Sequence, residues 1–77
     1  MTFTLFVRDD CAFCDQAMEI LAAARAGDFA SVFIDHDATL EARYGARVPV
    51  LRDVGGSELD WPFTVLSLQV WLAANRA

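Results

Sequence analysis

The chain has no lysine. Schiff-base chemistry and any lysine general base are therefore excluded. Its six basic residues are all arginine (Arg8, Arg25, Arg43, Arg47, Arg52 and Arg76), scattered along the sequence against eleven acidic ones. The resulting net charge of −5 argues against nucleic acid as a partner, because phosphate backbones are held by clustered Lys and Arg. Long apolar runs are missing too; none approaches the roughly 20 residues that span a bilayer. Histidine is scarce, with His36 alone. One His and two Cys in one chain do not supply the four ligands of a structural zinc site. No Gly-rich phosphate loop and no Ser/His/Asp arrangement is present. The N-terminal stretch Met1–Val7 has neither a basic start nor a small-residue cleavage site, so the expected compartment is the cytoplasm. In that compartment thiols stay mostly reduced, and a pair of cysteines is expected to serve chemistry or metal binding rather than stapling.

What the chain has is apolar content. Of 77 residues 56% are hydrophobic and 12% aromatic, enough for one dense domain and too few residues for two. Thr2–Val7, rich in aromatic and β-branched residues, reads as a buried strand. Asp9 and Asp10 are helix-start candidates, followed by Phe13, Ala17, Ile20, Leu21 and Ala24 at helical spacing, with Gly27 as the expected stop. Ser31–Asp35 reads as a second strand. A short helix carrying Leu40 and Tyr44 should end at Gly45. Val48–Asp53 and Ser57–Trp61 read as strands joined by a Gly55-Gly56 turn. After the break at Pro62 a last helix runs to about Asn75, with Leu66, Val70 and Ala73 on one face and Val65, Leu68 and Trp71 on another. The order β-α-β-α-β-β-α implies an α/β domain: a parallel crossover first, an antiparallel hairpin later, and a mixed four-stranded sheet with helices on both faces.

The chemistry concentrates in Cys11-Ala12-Phe13-Cys14, at the junction of the first strand and the first helix. Unpaired amides and the helix dipole at a helix N-terminus favour a nearby negative charge. Cysteines so placed have pKa values lowered from about 8.5 to roughly 3.5–7.5, and the thiolate is the attacking species in disulfide exchange. Cys11, at the exposed tip, is the expected nucleophile. Cys14, one turn in, is expected to resolve the mixed disulfide. Arg8 stands where it would assist the thiolate, while Asp9, Asp10 and Asp15 oppose ionisation. Two readings compete with a redox pair: two buried apolar thiols, and half of a metal or iron–sulfur site completed by a second chain.

The strand-then-Cys-x-x-Cys start, the Arg47-Val48-Pro49 segment, Val48-Pro49-Val50-Leu51, the Gly-Gly turn and Trp61-Pro62-Phe63 together resemble glutaredoxins of the thioredoxin fold, in particular short bacterial glutaredoxin-like proteins. The resemblance covers essentially the whole chain and implies a thioredoxin-like fold and disulfide reductase activity. It implies a cis Val48–Pro49 bond facing the cysteines, with the Val48 backbone N–H and C=O offered to substrate. It also implies Arg8, Phe13, Arg47, Val48 and Pro49 as substrate-binding residues. No bound cofactor is expected. Glutathione is the implied reducing co-substrate, with a thioredoxin-type reductase as the other donor, and the implied substrates are a disulfide-containing protein or a small thiol. A monomer working without nucleic acid or membrane is expected. The sequence departs from the family pattern at three places. Ala12-Phe13 replaces the usual Pro-Tyr, Arg47 replaces a threonine, and the Gly-Gly-x-x-Asp segment that holds a glutathione carboxylate has no counterpart before the last helix. A thioredoxin-fold module that binds or senses redox state without turnover is the alternative.

Asp35-His36-Asp37 has the residue types of a metal site, but three adjacent positions do not converge easily on one ion; a capped, solvated loop is expected. Trp61–Thr64 are expected to pack the core or wall a pocket.

Overall fold

The computed structural model describes residues 3–75. The chain forms β1 (Phe3–Val7), α1 (Ala12–Ala23), β2 (Phe29–Phe33), α2 (Ala38–Tyr44), β3 (Val50–Arg52), β4 (Glu58–Asp60) and α3 (Val65–Ala74). The start of the first strand at Thr2 lies outside the described residues. The sheet order is β2-β1-β3-β4. β1 runs parallel to β2 and antiparallel to β3, and β4 is antiparallel to β3. This is the thioredoxin-like arrangement.

Alternation along β1 divides the core. Leu5 and Val7 point to one face, where they pack with Leu51, Ala17 and Leu21 of α1, and Phe63 and Leu68. Phe6 points to the other, against Ile34, Tyr44 and Val50, with its ring stacked on Tyr44 at 4.1 Å. The period of two in a strand makes this division automatic. Helices cover both faces of the sheet as a result.

Several expectations shift. β2 spans Phe29–Phe33 rather than Ser31–Asp35, because pairing with β1 begins at the Phe3 N–H to Asp28 carbonyl bond (3.1 Å) and sets the register Phe3 to Phe29. Ile34 still donates to the Val7 carbonyl at 2.9 Å, and beyond it the chain turns away. β3 and β4 are shorter than Val48–Asp53 and Ser57–Trp61. On α3 it is Leu68, with Val65 and Trp71, that meets the core; Leu66 and Val70 face solvent. Phe13, counted among the apolar positions of α1, is exposed.

The stop of α1 also differs. Gly27 has a positive φ, but the helix has already ended: Ala24 is the C-cap and Arg25 takes the left-handed conformation, φ 53°. The Arg25 N–H bonds to the Ala22 carbonyl (3.2 Å) and the Ala26 N–H to the Leu21 carbonyl (3.1 Å), the pattern of a Schellman cap that usually carries glycine. Arg25→Gly removes the Cβ strain and is expected to stabilise the protein by about 0.5–1 kcal/mol, read as a higher urea midpoint; a lower midpoint would contradict this account of the turn.

Candidate active site

Cys11 is the N-cap of α1, with extended backbone at φ −120° and ψ 106°. Its Sγ accepts the Cys14 N–H at 3.1 Å, so sulfur occupies the place where an oxygen side chain normally satisfies an orphan amide. The aspartates expected to start the helix lie just outside it. Asp10 has φ 53°, and its N–H donates to the Asp9 carboxylate at 3.1 Å. Aspartate tolerates the left-handed region better than most residues, which suits it to the sharp turn that aims Cys11 into the helix mouth. Cys11 and Cys14 are joined by a disulfide, with Cα atoms 5.2 Å apart. Cys14 is 2% exposed and belongs to the core. Cys11 is only half-buried. The pair is therefore asymmetric: one sulfur open to a partner, the other behind it.

Sheet register gathers the remaining candidates at this end of the molecule. β1 ends toward Cys11. Phe6 pairs with Val50 and Val50 with Asp60, so Pro49 at the start of β3 and Trp61 after β4 fall at the same edge. The Val48–Pro49 bond is cis, and so is Trp61–Pro62, a second site not expected from the sequence. The Phe13 ring stacks on Trp61 at 5.9 Å, and Trp61 meets Phe63 edge-on at 5.1 Å. Trp61–Thr64 thus divide their roles: Phe63 is core, Thr64 caps α3 in a reciprocal bond with Ser67, and Trp61 extends the aromatic surface beside Cys11.

Three of the expected substrate contacts are already engaged. The Val48 N–H donates to the Tyr44 carbonyl at 3.0 Å, so of its two backbone groups that N–H is not on offer. The Arg8 guanidinium is likewise engaged within the chain. It holds Glu41 in a two-pronged pair, reaches Asp35 at 3.5 Å and donates to the Gly45 carbonyl at 3.0 Å. The Glu41 bond, with Asp35 nearby, holds Arg8 more firmly protonated than usual. Glycine is required at position 45, since a Cβ would collide with the Glu41 backbone carbonyl oxygen as well as crowd its carboxylate.

Arg47 is committed likewise. It pairs with Asp60 at 2.7 Å and with Glu58 at 2.8 Å, and these bonds strengthen its hold on its proton. Glu58 also accepts the Tyr44 hydroxyl at 2.6 Å. Burial, then the bond to Glu58, raises the Tyr44 hydroxyl above its ordinary pKa. The Tyr44 and Arg47 hydrogen bonds hold the Glu58 carboxyl below the usual carboxylate range. The linkage has a definite sign. With the folded pKa below the unfolded one of about 4.3, the stabilisation is complete above that value and is lost as pH falls through the folded pKa. Chemical denaturation from pH 7 to pH 3 is expected to show this acid loss, and Glu58→Gln to flatten it; an unchanged slope would refute the role of Glu58.

A cavity of about 260 Å³ opens beside the disulfide, lined in part by Asp9, Asp10, Cys11, Cys14, Asp15 and Phe33. His36 lies in an adjoining depression with Asp9, Phe33 and Asp35. Asp37 caps α2, accepting from Thr39 at 3.0 Å and Leu40 at 3.1 Å, and Asp35 accepts the Asp9 N–H at 2.7 Å. The Asp-His-Asp segment is thus a capped loop. Among the described residues no three His, Cys, Asp or Glu side chains are placed to hold one metal ion, and no helix is long and apolar enough to cross a membrane.

Residues 2–73 match the family described as glutaredoxin-like domain (DUF836). Two experimental structures of the Northeast Structural Genomics target XcR50 from X. campestris superpose closely. The X-ray structure has a TM-score of 0.94 at 64% identity, covering 96% of this chain and 99% of that one. The solution structure has a TM-score of 0.91 at 63% identity, covering 99% and 97%. A search of curated proteins finds no match. The fold and the Cys11–Cys14 disulfide fit a thiol–disulfide redox role.

Proposed function

The chain belongs to the glutaredoxin-like family, and from that premise we propose that it is a thiol–disulfide oxidoreductase with Cys11 as the attacking sulfur and Cys14 as the resolving one. The observation that carries this reading is the asymmetry of the pair: a half-buried sulfur at the N-cap of α1 and a buried one a turn behind it, already bonded to each other. In the reduced form the Cys11 thiolate sits where the first-turn amides and helix dipole favour negative charge. It attacks one sulfur of a substrate disulfide, forming a mixed disulfide and releasing the other substrate sulfur as a thiolate, which takes up a proton. The Cys14 thiol loses its proton and attacks Cys11, which expels the second substrate sulfur as a thiol. Two electrons pass to the substrate, and the protein is left as the Cys11–Cys14 disulfide.

Phe13, Pro49 and the Val48 carbonyl form the substrate-contacting set, the last accepting from an extended backbone. Arg8 and Arg47 act as positioning residues, since their guanidiniums are committed within the chain. Arg8 fixes the turn before Cys11, and Arg47 fixes the segment leading into Pro49. No bound cofactor is needed. A cytoplasmic donor, glutathione or a thioredoxin-type reductase, restores the dithiol.

Redox titration tests the reading. Equilibrated with thiol–disulfide buffers, the pair should titrate as a two-electron couple between about −270 and −180 mV, the range of thioredoxin, glutaredoxins and protein disulfide isomerase. A potential below about −300 mV, typical of structural disulfides, would overturn it.

A further inference from the structure

The surroundings of the disulfide carry charge of one sign. Asp9, Asp10 and Asp15 line its cavity, and none of them forms a salt bridge to a cation among the described residues. Arg8, the basic residue of the same cavity wall, is paired with Glu41 and Asp35. The field at the mouth is therefore negative. On the β2 side of Cys11 stands Phe33, 53% exposed, and on the β3–β4 side Phe13, 56% exposed, stacked on Trp61. Exposed aromatics flanking a reactive atom suit an apolar partner surface, and the acidic rim selects the charge of that surface.

We propose that the substrate is a protein disulfide flanked by basic and apolar side chains, docked on the Phe13–Trp61 and Phe33 surfaces with its cations against Asp9, Asp10 and Asp15. This inference rests on the redox reading above and assigns its substrate class. Glutathione and its disulfide, net anionic through their carboxylates, meet the same repulsion at this mouth as donor and as acceptor, which favours the thioredoxin-type reductase of the two donors named above. Exchange converts the Cys11–Cys14 dithiol to the disulfide and the substrate disulfide to two thiols, so no further reactant enters.

The test uses the reduced full chain and two disulfide-bonded peptides of identical length and apolar content, one with lysines beside the disulfide and one with glutamates. Their reduction rates are compared with that of neutral bis(2-hydroxyethyl) disulfide. The lysine peptide should react at least about tenfold faster than the glutamate peptide at low ionic strength, falling below about threefold in 0.5 M salt, where the screening length is only a few ångströms. The ratio is the readout because it cancels the intrinsic reactivity of Cys11. In a D9N/D10N/D15N variant, whose asparagines keep the turn hydrogen bonds, the low-salt ratio should also fall below about threefold. Equal rates for the two peptides in the wild type, or a preference that survives high salt or the asparagine substitutions, overturns this inference. If the neutral disulfide is reduced in that case, the oxidoreductase reading stands. If none of the three is reduced, both fall.

Discussion

Cys11→Ser is expected to abolish disulfide exchange, by at least about a thousandfold, equivalent to some 4 kcal/mol of barrier, while leaving the protein folded. The two halves of that expectation come from the same atom. Sγ of Cys11 is both the proposed nucleophile, half-buried at the helix tip, and the acceptor for the Cys14 N–H. Serine forms no mixed disulfide, yet it is among the preferred N-cap residues, so the helix keeps its cap. Cys14→Ser should behave differently: the first attack survives, the resolving step does not, and a one-to-one mixed disulfide accumulates, visible as added mass on the intact chain. Cys11→Ala separates the roles further, losing the cap as well as the chemistry at a cost of about 1 kcal/mol. Undiminished turnover in both serine variants would remove the cysteines from the mechanism.

The largest effect on stability is expected from Leu5→Ala. Leu5 is fully buried in the central strand, paired across to Leu51 on one side and Ser31 on the other, and packed in the cluster that contains Cys14 and Leu68. Truncating such a leucine costs about 3–4 kcal/mol through lost burial and the cavity left behind. A domain of this length has only about 4–12 kcal/mol in total, so the melting temperature should fall by roughly 12–30 °C. Leu66→Ala, at a position 70% exposed, is the control and should stay within about 0.5 kcal/mol. A Leu5→Ala midpoint indistinguishable from that of the control would show the core to be wrongly placed.

The element order and the Cys-x-x-Cys junction were legible because each is a local signal: a β-branched run, a helical period, a turn dipeptide. Strand ends were less so. The shift of β2 by two residues is decided by its neighbour, through the bond from the Phe3 N–H to the Asp28 carbonyl, and no local pattern encodes that. Helix ends misled for a related reason. A cysteine at the cap and an arginine in a left-handed turn are both unusual occupants, whereas Asp9, Asp10 and Gly27 are the usual ones. The apolar face of α3 was ambiguous because nearly all of its positions are apolar, so periodicity could not choose between Val65, Leu68 and Trp71 and the stripe of Leu66, Val70 and Ala73. The arginines were the least readable part of the site. Arg8 lies three residues before Cys11 and Arg47 directly before Val48-Pro49, positions that suggested contact with thiolate or substrate. Their partners Glu41, Asp35, Glu58 and Asp60 are supplied by the loop before α2, by α2 itself and by β4, which only the folded topology brings near.

That routing bears on how the protein meets a partner. The residues just before Cys11 are tied down twice, by the Arg8 side chain to Glu41 of α2 and by the Asp9 N–H to Asp35 in the loop before it. The turn that presents the sulfur is therefore ordered when the chain folds, before any substrate arrives. For the proposed reaction, binding a disulfide then requires little further loss of backbone freedom, and more of the contact energy remains as affinity. The encounter is closer to a plug entering a rigid socket than to a loop closing around its target.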